Sequence, residues 1–119
     1  MQITDLSLTS YLDLYSLRLL PEEWIAFQPR IYTMVAGATY ELLVGIEQDL
    51  GLKIQSINVS PGAVVSEVSA KVSIIGEVPG EHAKIMLRHH CKLALDSACV
   101  RVAASVSKAS VSSLLAGLS

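Results

Sequence analysis

The chain has 119 residues, 51% of them hydrophobic and only 17% charged, with a formal net charge of −2 and a mean hydropathy of +0.48. That length fits a single domain spanning residues 1–119, with enough core to need no disulfide or metal staple. The nine basic residues are scattered, which disfavours a nucleic-acid partner, whose phosphates need a concentrated basic footprint, and an anionic membrane surface.

The most apolar stretch, 31–46, contains Thr33, Thr39 and Glu41 and is too short and too polar to span a bilayer. Met1–Asp5 carries no basic region of the kind that opens a signal peptide. The expected location is therefore the cytoplasm or the interior of an assembly such as a virion. A small domain with so few charges stays in solution most simply by hiding part of its surface. A homo-oligomer, or a subunit of a protein complex, is the expected state.

The first nine residues are ambiguous: Leu6 and Leu8 alternate with Ser7 and Thr9, the pattern of a short strand, but the pattern alone leaves helix or strand open. From Ser10 a helix is expected, with Ser10 as N-cap, Asp13 three residues on, and Leu12, Tyr15 and Leu19 on one face. The competing reading carries the alternation through Leu14 as one strand. Pro21-Glu22-Glu23 starts a second helix, because proline tolerates the first position and carboxylates favour the positive end of the dipole. Pro29 is expected to interrupt or kink it. Arg30 to Leu50 is the clearest helix, with Ile31, Val35, Ala38, Leu42 and Ile46 at helical spacing and Gly51 placed to close it. Two glycines in that helix, Gly37 and Gly45, predict the close approach of another backbone.

Lys53 to Ser60 and Val64 to Ile75 read as a hairpin around Pro61-Gly62. In the second strand Val68, Ala70, Val72 and Ile74 alternate with Glu67, Ser69, Lys71 and Ser73, which predicts one wet face. Gly76–Gly80 is a loop. A third helix is expected over 81–97, with Ala83, Met86, Leu87, His90, Cys91, Ala94 and Leu95 inward. Cys99 to Ser107 alternates as a strand, and a tail helix with Val111, Leu114, Leu115 and Leu118 apolar follows. The order α-α-β-β-α-β-(α) predicts an α+β fold, with helices packed on one face of a small, mainly antiparallel sheet.

Little in the sequence announces chemistry. His82, His89 and His90 have no partner histidine or cysteine three or four residues away, and there is no CxxC or HExxH, so no metal site and no cofactor is expected. No GxSxG elbow exposes a serine, and Gly76–Gly80 lacks the GxxxxGK[ST] of a phosphate loop. Cys91 and Cys99 read as free buried thiols. A thiol site, if present, would use Cys99 with Arg101 and His90. Trp24, Phe27 and Tyr32 form an aromatic cluster suited to core or interface. Together with Gly37, Gly45, Leu114 and Leu115 they are the interface candidates.

The order long helix, hairpin, cysteine-bearing helix and final strand over residues 30–108 resembles the C-terminal part of the OsmC/Ohr family of thiol peroxidases, with Ala98-Cys99-Val100 at a helix end. The resemblance implies a thiol enzyme built on Cys99. The chain departs from that family in having no cysteine in the long helix and no proline after Cys99, and in opening on what look like helices. The leading expectation is accordingly a non-catalytic, oligomerising assembly subunit, for example a component of a particle or of a viral tail or neck. The alternatives are an OsmC-like thiol enzyme and a small-ligand binding module.

Overall fold

A computed structural model describes residues 2–108 of the chain. The elements run β1 (Ile3–Tyr11), α1 (Leu14–Leu17), α2 (Pro21–Leu50), β2 (Lys53–Pro61), β3 (Glu67–Ile75) and α3 (Gly80–Lys108). The fold is α+β: a three-stranded antiparallel sheet in the order β1-β3-β2, with the two long helices on one face. Val68, Ala70, Val72 and Ile74 of β3 are buried beneath them, as are Leu6 and Leu8 of β1. The opposite face carries Asp5, Ser7 and Thr9 beside Ser69, Lys71 and Ser73, and is the wet face the alternation predicts.

Two ends of the chain differ from the sequence-based order. Ser10 does not cap a helix: it lies in β1, opposite Val68. The alternation of Leu6, Leu8, Ser10 and Leu12 is real, and helix α1 is confined to four residues, ended by Arg18 in the left-handed region. At the other end, Cys99–Ser107 is not a strand. α3 runs unbroken from Gly80 to Lys108, because Leu95, Ala98, Cys99, Val102, Ala103 and Val106, all buried, also repeat at helical spacing. The valines satisfy both periods, and packing against α2 selects the helical one. The expected tail helix, with Leu114 and Leu115, lies outside the described residues.

α2 passes through Pro29 without interruption. The carbonyl that proline leaves without a donor is that of Ile25, a residue 71% exposed, so water can serve it. At the start of α2, Glu23 accepts from the Leu20 N–H at 2.8 Å. At its end, Gly51 adopts φ 65 and donates to the Glu47 carbonyl, the closure expected of a C′ glycine. Gly37 and Gly45 do not receive another backbone: both are exposed, and a Cβ at either would meet nothing within 4 Å.

β2 contains one irregularity. Ile54 pairs with Ile74 and Ser56 with Ser73, so Gln55 is an extra, bulged residue. Ile54 and Ile57, three apart, would otherwise face opposite sides of the sheet. The bulge returns both to the helix side, where Ile54 meets Leu43, Ile46 and Leu87.

Candidate functional site

The residues proposed for thiol chemistry are not brought together. His90 lies nine residues before Cys99 on α3, about 13 Å along the axis and on the opposite face; its side chain is exposed rather than part of the inward stripe, as is that of Met86. Arg101 turns outward to Glu41 of α2 at 3.4 Å. Cys91 and Cys99 are both free and buried, and eight helical residues, about 12 Å, separate them, too far for a disulfide. Burial pushes the Cys91 thiol up to about 11. Burial also raises Cys99, and the nearby Asp96 carboxylate adds to it against the lowering contributions of Ser10 and Lys92. Both thiols are thus held in the protonated, weakly nucleophilic form.

A polar cluster that the sequence did not single out lies beside Cys99, where α3 meets β1. The buried Ser10 hydroxyl donates to the Asp96 carboxylate at 2.6 Å. Lys92, one turn earlier on α3, donates to the same oxygen at 2.8 Å and to the Thr9 carbonyl. Desolvation would raise the Asp96 carboxyl, but Lys92 and Ser10 outweigh it and hold the group below its ordinary value. The Lys92–Asp96 spacing of four was the only signal of this cluster in the sequence. With no exposed nucleophile and a carboxylate already doubly bonded, it ties helix to strand.

The same side chains settle one edge of the sheet. Leu12 N–H to Ser66 O and Gly76 N–H to Gln2 O set the even-numbered residues of β1 as those bonded to β3, so the odd ones aim their backbone groups outward. Arg88 donates to the Ser7 carbonyl at 2.8 Å and Lys92 to that of Thr9. This edge is blocked by long cationic side chains, a common protection of exposed strands.

The β2 edge is different. Gly62 N–H donates to Glu67 O, which fixes Ser60 and Asn58 as bonded to β3 and leaves Ile57 and Val59 with N–H and C=O aimed outward. Ile54 N–H is taken by Glu47 at 3.0 Å; Pro61 has no N–H. A groove of about 470 Å³ runs between this edge and α2, lined by Tyr32, Thr33, Ala36, Ile57, Val59 and neighbours. The α2 flank above it, from Ile25 through Pro29, Thr33, Ala36 and Tyr40 to Val44, carries no charge. Of the aromatic candidates, Phe27 is buried in the core, and Trp24 packs edge-on against the buried Tyr32 with centroids 6.1 Å apart. Tyr32 also accepts from the Gln28 side-chain amide at 2.7 Å at the groove wall.

Between helices and sheet, the space bounded by Leu43, Leu52, Ile74, Leu87 and Cys91 amounts to about 10 Å³, too small for more than a single water. Among the described residues no three His, Cys, Asp or Glu side chains are grouped to hold a metal, and no helix is long and apolar enough to cross a membrane. Compared with protein-family models, curated proteins and solved structures, the chain matches none.

Proposed function

We propose that this protein is a non-catalytic assembly subunit that works by associating with copies of itself. The observation that carries this reading is an unfinished core on the β2 side. The inward residues of β1 and β3 are buried, whereas Ile54, Ile57 and Val59, on the same face of the sheet, are only partly covered. Beside them Ile25 and Tyr40 of α2 are exposed. An apolar face of this kind in a chain of low charge is the usual mark of an interface. Light scattering across micromolar concentrations tests the reading: an oligomer is expected, and a monomer that co-purifies with nothing overturns it.

The thiol-enzyme reading has less support. Long helix, hairpin and cysteine-bearing helix do follow one another, but the final strand on which the resemblance to OsmC/Ohr proteins also drew is part of α3. The thiol at the centre of that chemistry, however, is buried and raised, and neither Arg101 nor His90 faces it. The ligand-module reading places an apolar pocket between helix and sheet, and the space of only about 10 Å³ bounded by Leu43, Ile74 and Leu87 weighs against one there.

A further inference from the structure

Resting on the self-association reading, we infer that two copies join through β2, pairing antiparallel about a two-fold axis at Asn58 to make one continuous six-stranded sheet. Ile57 and Val59 are the β2 residues past the bulge that offer both an outward N–H and an outward C=O, for the register reasons above. Setting Ile57 of each copy opposite Val59 of the other satisfies all of these groups, whereas a shift that sets Ile57 opposite Pro61 leaves the Ile57 C=O without a donor, proline having no N–H.

The side chains follow the backbone. Ile57 and Val59 of the second copy point to the helix side, into the groove lined by Tyr32, Ala36, Ile57 and Val59 together with Gln28 and Thr33, so the apolar part of the groove receives residues of its own chemistry. Ala36 and the exposed Gly37 keep this flank of α2 low, which leaves room for the second α2.

Charge selects a second copy over a charged partner. Lys53 is the single charged residue of β2. In this register, with the bulged Gln55 left out of the count, it lies opposite Gly62, with the two Lys53 side chains at opposite ends of the seam, so no like charges meet. The α2 flank is about 30 Å long, and with Ile57 and Val59 of the strand beside it forms one continuous uncharged face of the kind that stable interfaces bury. The β1 edge, closed by Arg88 and Lys92, cannot substitute, so addition stops at two copies.

The test is register-specific cross-linking of the full chain. In this pairing Asn58 faces its symmetry mate across a non-hydrogen-bonded pair, with Cα atoms about 4.5 Å apart, within disulfide reach. Asn58→Cys is expected to yield covalent dimer under oxidised glutathione, and Ser7→Cys on the β1 edge is not; the native thiols are buried and do not compete. Val59→Pro removes a donor that β3 does not use, and is expected to convert dimer to monomer in light scattering while retaining the native circular dichroism. A dimeric wild type whose Asn58→Cys variant does not cross-link overturns the β2 pairing and leaves self-association standing. A monomeric wild type overturns both, and leaves the edge to a different chain.

Discussion

Ser10 shows how a single residue binds two elements. Its hydroxyl sits in β1 and its acceptor, Asp96, in α3, 86 residues later. Because the Asp96 carboxyl is held below its ordinary value, the tie contributes stability that is full above the usual aspartate pKa and lost as pH falls through the lowered native value. Asp96→Asn is expected to cost about 0.5–1 kcal/mol in urea denaturation near neutral pH, the carboxylate being partly exposed. That cost should shrink as pH drops below the ordinary aspartate range, and a cost constant across the acid range would contradict the assignment. At the two thiols, a raised pKa together with burial predicts labelling by a small disulfide reagent at pH 8 at least about a hundredfold slower than a free cysteine, rising to the free rate in denaturant. Fast labelling of Cys99 in the native protein would revive the thiol-enzyme reading.

Among the elements, β2 depends most on one inserted residue. Gln55 allows Ile54 and Ile57 to share the helix side. Deleting it either turns Ile54 to the wet face or breaks its pairing with Ile74, and removes the Ile54 N–H from Glu47. The expected loss is about 1–2 kcal/mol from the apolar area exposed, read as a lower urea midpoint. Gln55→Ala keeps the extra residue and should cost little. The bulge has no sequence marker, since glutamine fits bulged and regular positions alike. α2 and the β2–β3 hairpin, by contrast, were legible, because each states its period within its own residues: Ile31, Val35 and Leu42 for the helix, Val68, Ala70 and Val72 for the strand. The end of α3 was not, since Val100, Val102 and Val106 fit a strand until Cys99 and Ala103 are counted as buried. Of the proposed interface, the expectation of one came from composition; its proposed location did not, because which backbone groups of β2 face outward follows from pairing with β3.

On the scale of the whole molecule, one sheet edge is closed by Arg88 and Lys92 and the other is left open beside an uncharged helix flank. A protein that completes its core by association gains stability with concentration. The thermal midpoint is therefore expected to rise measurably, by about 2–4 °C for each tenfold increase in protein concentration. A midpoint independent of concentration would place the whole of the stability in the single chain.

The sequence by itself determined the α+β class, the two-faced character of the sheet, the long helix with its glycine stop, and the low-charge surface that points to association. These are local periods and bulk composition, which a chain carries without reference to its partners in space. The tertiary structure decided that the first strand lies beside β3 rather than dissolving into a helix, that α3 continues through Cys99, and that β2 is the open edge. Each of those depends on contacts between residues far apart in the chain, where Ser10 meets Asp96 and Arg88 meets Ser7. Such contacts choose between local conformations that the sequence permits equally.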